Sequence, residues 1–288
     1  MKPSFHRAGS MLLLGLLTAL LAGCASTDRL REVREFAAES SRLSGFTDMS
    51  VRFRDTYARE QPYLSPAADA RERPLDALRR QQYADCLSIA KSVALYLDTL
   101  AVLAGERQYD LSEQVHGLSS GIKAWPDSGL DASHVNAYTE LTSLLARNLA
   151  APRQERAVQA MVRDGQAPLQ QLLAAMTALL RYYDKTNADE KAIVLGMLQV
   201  EIAFADTPPN RLLAALGKVQ QQSKMAEYRQ AEAAYHLAEK NLATIAQAQQ
   251  ALLEYVERPD SAAAHTALEQ ASQQLRLNRA ELHHDTAD

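Results

Sequence analysis

The sequence predicts an all-α protein, a multi-helix bundle with a long C-terminal antiparallel helical hairpin, and three observations carry that expectation. About 50 of the 288 residues are Ala and about 42 are Leu, both strong helix formers. The 11 Gly and 10 Pro fall well below their usual combined share of roughly 12%, so turns are few. Aromatic residues make up only 6% of the chain, too few for the aromatic and β-branched strands of a sandwich or barrel of this size. A hydrophobic share of 47% supplies a core and excludes a disordered polymer. The net charge of −4 and pI near 6.0 leave no basic excess to hold phosphates, so no nucleic-acid partner is expected.

The first 23 residues read as an address rather than a fold element. Met1 to Ser10 carries Lys2 and Arg7 with no acid, and Met11 to Leu21 is apolar apart from Gly15 and Thr18. That run is short of the roughly twenty residues needed to span a bilayer. It is followed by Leu21-Ala22-Gly23-Cys24. This order resembles the lipobox of bacterial lipoproteins, and the resemblance covers Met1 to about Thr27. It implies cleavage between Gly23 and Cys24, lipidation of Cys24, and a protein tethered to a membrane through its N-terminal lipid. Ala25 and Ser26 follow the cysteine where inner-membrane lipoproteins of Gram-negative cells carry an Asp, so the resemblance implies the outer membrane, facing the periplasm. More than one acyl chain makes such anchoring stable, each buried methylene contributing about 0.8 kcal/mol. The remaining stretches fall short of a twenty-residue apolar run, so the rest of the chain is expected to fold in water.

Cys86 is the other cysteine. It shares a helical stripe with Leu75, Leu78, Gln82, Ile89, Val93, Leu97 and Leu100, and is expected to be a buried small hydrophobe.

The helices follow in order. Leu30, Val33, Phe36, Ala37 and Leu43 form an amphipathic stripe with no Ser- or Gly-rich spacer before it, which would hold the body close to the membrane. Phe46, Met49, Phe53 and Tyr57 suggest a second, short helix, although Ser50 to Arg54 also alternates as a strand would. A long helix is expected from about Pro74 to about Ala104, stopped at Gly105. Leu111, Val115, Leu118, Ile122 and Trp125 mark a short helix before Pro126. Val135, Tyr138, Leu141, Leu145 and Leu149 mark another, ended by Pro152. Three helical stretches follow, around Val158 to Val162, Leu169 to Tyr183, and Ile193, Met197, Val200 and Phe204. Thr207-Pro208-Pro209-Asn210 is the clearest interior break.

From about Arg211 to Arg258 heptads place Tyr228, Tyr235, Leu242, Gln249 and Val256 at one core position and Ala231, Ala238, Ile245 and Leu252 at the other. Pro259-Asp260-Ser261 ends that helix and offers a cap for a last one with Ala264, Leu268, Ala271 and Leu275. The domain reading is a signal peptide over 1–23, a helical bundle over 24–206, and a long hairpin packed on it over 207–288, ending in a frayed tail.

Candidate chemistry is sparse. Gly117-Leu118-Ser119-Ser120-Gly121 matches the Gly-x-Ser-x-Gly pattern of serine hydrolases, but that elbow needs a strand before it and a helix after it. Helical spacing instead runs through it from Leu111 to Ile122, so Ser119 is not expected to be a nucleophile. Glu232, His236 and Glu239 share a helix face, which resembles one quarter of a carboxylate-bridged di-iron bundle, yet the His precedes the Glu and the heptad frame puts His236 outside the core. His116, His134 and His265 are isolated, and His283-His284 lie in the tail. No catalytic residue, cofactor or metal is expected.

The functional expectation is a non-enzymatic lipoprotein that binds or scaffolds an envelope protein through the hairpin from about Arg211 to Leu282. The alternative is an envelope enzyme acting on peptidoglycan or lipid in an inter-helix groove. Tyr228 to Val256 also resembles locally the periplasmic coiled coils of outer-membrane efflux proteins, but the chain lacks barrel strands, which argues against a channel.

Overall fold

The computed structural model describes residues 30–43, 45–105, 110–118, 121–148 and 155–285, with side chains as far as Glu281. Cys24, Gly23, Ser119, Leu149, Pro152 and the side chains of His283 and His284 lie outside the described residues. The described chain is all-α, and its one β feature is an isolated bridge between Trp125 and Leu130. The helices are α1 (30–40), α2 (Phe46–Arg54), α3 (Thr56–Glu60), α4 (Pro66–Leu103), α5 (Ser112–His116), α6 (Ala132–Asn148), α7 (Glu155–Ala205), α8 (Arg211–Glu257) and α9 (Ala262–Asp285).

The 51-residue α7 is the spine, touching α2, α3, α4, α6 and α8. What the sequence suggests as separate stretches is one helix, with Pro168 buried inside it. An interior Pro costs about 3 kcal/mol, and the unbroken run of buried residues from Val158 to Tyr183 outweighs it. Antiparallel α8 is pinned along α7 in sequence by Arg163–Glu257 at 3.3 Å, Arg181–Glu239 at 2.6 Å and Lys191–Glu232 at 2.7 Å. The α8 seam follows the heptad expectation: Tyr228, Tyr235, Ala238, Leu242, Ile245, Gln249, Leu252 and Val256 are buried, and His236 is exposed. Ser261 caps α9, accepting from the Ala264 N–H at 3.3 Å, and Ala264, Leu268, Ala271 and Leu275 are buried. Pairs of Glu32 with His265 (2.9 Å) and Glu39 with Arg279 (2.7 Å) tie α1 to α9. One apolar core therefore runs from Val33 in α1 to Leu275 in α9.

Three sequence expectations are corrected. The long helix α4 starts at Pro66, not near Pro74, because Ser65 caps it by accepting from the Ala68 N–H at 3.3 Å and Pro66 fits the first turn. Pro74 is instead accommodated on the exposed face, where it removes a single backbone bond. The helix expected from Leu111 to Trp125 is only Ser112–His116. Trp125 and Leu130 exchange backbone bonds at 2.7 and 3.1 Å around a tight turn that Gly129 completes at φ 83°, and the Trp125 indole donates to Asp85 at 2.7 Å. The indole is thus spent anchoring the turn to α4. Finally, α4 does contain an 18-residue window of mean hydropathy 1.6, long and apolar enough to cross a membrane by composition alone. Its second half is mostly apolar because α2, α6 and α7 pack on it: Cys86, Ile89, Val93, Tyr96, Leu97 and Leu100 are fully buried, while Lys91 stays exposed. The strand alternative for Ser50 to Arg54 gives way to α2, whose Phe46, Met49 and Phe53 face the core and whose Phe53 ring stacks on Tyr183 at 4.5 Å.

Candidate functional site

Two features stand apart from ordinary core packing. The first is a buried polar cluster where α2, α3, α4, α7 and α8 meet. The apolar stripe of α7 carries Tyr183, Asn187, Glu190, Val194 and Leu198 at three-and-four spacing, so two polar residues are folded into the interior. The Glu190 side chain is fully buried. It accepts from Arg59 of α3 at 3.0 and 2.6 Å and from the Tyr228 hydroxyl of α8 at 3.0 Å, with Arg52 of α2 at 3.9 Å. Arg52 also donates to Asn187 at 3.0 Å and Glu227 at 2.8 Å, and Lys224 closes the far side of Glu227 at 2.7 Å. Burial, then the adjacent Glu190 carboxylate, holds the Tyr228 phenol well above its usual range.

Beside this cluster opens a cleft, continuous with solvent and lined by Thr56, Glu60, Glu72, Arg79, Asp189 and Glu190 among others. Glu60 is 2% exposed and its Oε1 has no hydrogen-bond partner. Burial first, and then the charge of the neighbouring Glu72 carboxylate and a hydrogen bond shared with it, push its carboxyl up to about 7 against the pull of Arg79. Arg79 is 7% exposed; its Nη2 donates to Glu72 at 3.1 Å while its Nε is unpartnered. Of the cleft's other three carboxylates, Glu190 has Arg59 and Glu72 has Arg79, while Asp189 is exposed. Glu60 is left as the buried acid without a cation of its own.

The second feature is the free end of the α7–α8 hairpin. Beyond Tyr228 the main core gives way to a small cluster of Val194, Leu198 and Tyr228, flanked by Tyr63, Leu195 and Ile202, between the two helices, with Ala214 also buried. Gly217 permits their close approach, since a Cβ there would lie 2.7 Å from the Ile202 side chain. The outer surfaces of this end are apolar: Phe204 is 77% exposed, Leu212 74% and Val219 64%, with Val200, Leu213 and Leu216 also exposed. On α7 the exposed apolar residues Met197, Val200 and Phe204, and on α8 Leu212, Leu216 and Val219, recur at helical spacing. Each stripe is therefore a continuous face rather than scattered side chains.

The residues that the sequence singles out for chemistry do not converge on either feature. Glu232 and Glu239 are engaged with Lys191 and Arg181 across the α7–α8 seam, and His236 points to solvent between them. His134 meets Asp131 at 3.0 Å at the start of α6, and His116 ends α5. Among the described residues no group of three or more His, Cys, Asp and Glu is arranged to hold a metal ion. Cys86 is fully buried, and burial pushes its thiol up to about 11, the character of a packing residue rather than a nucleophile. Motif and spacing do not single out Glu60, Arg79 or Glu190. The one signal pointing to them is a charged residue on an apolar stripe, Glu190 between Tyr183 and Val194 and Arg79 beside Gln82. No known protein family, curated protein or solved structure matches the chain.

Proposed function

We propose that the chain is a bacterial lipoprotein, anchored through Cys24 to the periplasmic face of the outer membrane, whose helical body binds an envelope protein without catalysing a reaction. The address rests on the order of charge, apolar run, small residues and cysteine in the first 24 residues. Incubating cells with a fatty-acid probe should label the protein, and Cys24→Ser should remove the label and release the chain from membranes.

The binding role rests on the apolar end of the α7–α8 hairpin, which shares only the start of α8 with the Arg211 to Leu282 hairpin expected from the sequence as the docking surface. Contiguous exposed apolar faces on soluble proteins mark interaction surfaces. This one carries few charges, Glu201, Asp206, Arg211 and Lys218, and they balance. It therefore suits an apolar helical surface on another protein better than an anionic lipid head group. A photo-crosslinker at exposed Gln220 in intact cells should give one discrete heterologous product. Phe204→Ser with Leu216→Ser should abolish that product while shifting stability by no more than about 0.5 kcal/mol, as expected for exposed positions. A smear, no product, or a product that survives both substitutions would overturn the binding role; one of twice the chain's own mass would reassign the face to a second copy.

One observation favours the alternative, an envelope enzyme acting on peptidoglycan or lipid in a groove. Glu60 lines a cleft with a carboxyl near 7, the range of a general acid. The discriminating assay is release of soluble fragments from peptidoglycan or fatty acid from phospholipid by the purified chain, lost in Glu60→Gln.

A further inference from the structure

The Glu60 cleft holds two buried side chains that each keep one polar atom without a hydrogen bond: Glu60 Oε1, whose carboxyl otherwise meets the like-charged Glu72, and Arg79 Nε. Leaving such groups unsatisfied forfeits their hydration with no return, more so when they are charged, and folded proteins rarely tolerate it without a bound partner. The charges around the cavity define the complement. From α4 come Glu72 and Arg79; from α7 come Lys185, Asp189 and Glu190; Arg59 and Arg52 reach Glu190 from α3 and α2. The lining itself carries four acids against two bases, so a cation is favoured over an anion. Beside the polar groups, Leu75, Leu78, Tyr182 and Ile193 supply an apolar wall.

We propose that this cleft takes a peptide amino terminus, its ammonium between Glu60 and Glu72, its first carbonyl oxygen accepting from Arg79 Nε, and an apolar first side chain against Leu75, Leu78 and Ile193. One ligand then satisfies both orphaned atoms and gives Glu60 the cation it lacks. The site is separate from the hairpin end, so it stands or falls independently of the docking reading.

An ammonium binds the ionised carboxylate, so binding expels the Glu60 proton. With a carboxyl near 7, the competent form is nearly half the population at pH 7 and only a few per cent at pH 5.5. Free α-amino groups stay protonated up to about 7.7, so the ligand's own charge is constant across that window.

The test is calorimetry on the full chain in detergent with leucinamide, which carries the ammonium, the carbonyl and an apolar side chain, against N-acetyl-leucinamide, in which the amine is blocked. Leucinamide should bind roughly tenfold more weakly at pH 5.5 than at pH 7, with proton release detected by comparing buffers of different ionisation enthalpy. Acetylation should weaken binding at least tenfold. Glu60→Gln, which keeps the neutral shape of the protonated acid, should do the same and abolish the pH dependence. Absence of saturable binding, equal binding of the acetylated compound, or a pH-independent affinity in the unsubstituted chain would overturn the assignment; the last needs no variant to fold.

Discussion

Gly165→Ala is expected to destabilise the protein by about 1–3 kcal/mol, although the same exchange in an unobstructed helix interior stabilises by about 1 kcal/mol. The sign reverses because of what Gly165 faces. A Cβ at this buried position of α7 would lie 2.6 Å from Cζ of Tyr96 on α4, and nearer still to Cε2. Tyr96 is fully buried, and its hydroxyl donates to the Met161 carbonyl at 3.0 Å, one turn before Gly165. The ring cannot retreat without breaking that bond and stranding a phenol whose ionisation burial already opposes. Gly196 on the same helix is the control. It is exposed and a Cβ there meets nothing within 4 Å, so Gly196→Ala should raise stability by up to about 1 kcal/mol. Urea midpoints of the two variants should therefore move in opposite directions. A neutral or stabilising Gly165→Ala would mean that α4 and α7 do not approach through the glycine.

The contrast between these two glycines shows where sequence reading works and where it stops. Periodicity alone locates the buried stripes of α1, α4, α6, α8 and α9, because a helix must bury its apolar face and three-and-four spacing reveals it. Cys86, Tyr228 and Leu268 are buried for that reason. The same signal misleads at Met197, Val200 and Phe204, whose spacing is as regular as that of Leu169 to Tyr183 but whose face has no helix against it. Spacing reports that a face is apolar, not whether this chain or another covers it. Helix boundaries are misread where a local start signal outweighs an interior proline, at Ser65-Pro66 over Pro74, and where tertiary packing carries α7 across Pro168. The cleft is illegible for a different reason. Glu190 on α7 lies more than a hundred residues from Glu60 and Arg79 on the consecutive α3 and α4, and no spacing rule brings the three together.

Glu190→Ala is the substitution with the largest expected cost, about 3 kcal/mol. Removing one partner of a buried ion pair typically costs about 3–5 kcal/mol because the charge left behind is uncompensated. Here the abandoned group is Arg59, 20% exposed, while Arg52 keeps Glu227 and Asn187, and that residual solvation and pairing place the loss at the low end. Tyr228→Phe removes only the hydroxyl's bond to the same carboxylate and should cost about 1 kcal/mol. Measured together, the two substitutions should be less than additive, since the phenol has nothing left to donate to once Glu190 is gone. The loss should also be regional. Glu190 and Arg52 hold α7 and α8 against α2 and α3 at the point where the hairpin leaves the bundle, and beyond it the main core gives way to the small cluster of Val194, Leu198 and Tyr228. Amide exchange in Glu190→Ala should therefore quicken from about Val194 to Tyr228 well before it changes around Leu172 or Leu242 in the main core. If exchange quickened uniformly, or the cost fell below about 1 kcal/mol, the polar cluster would not be what fixes the projecting hairpin, and its apolar faces would owe their presentation to the small cluster alone.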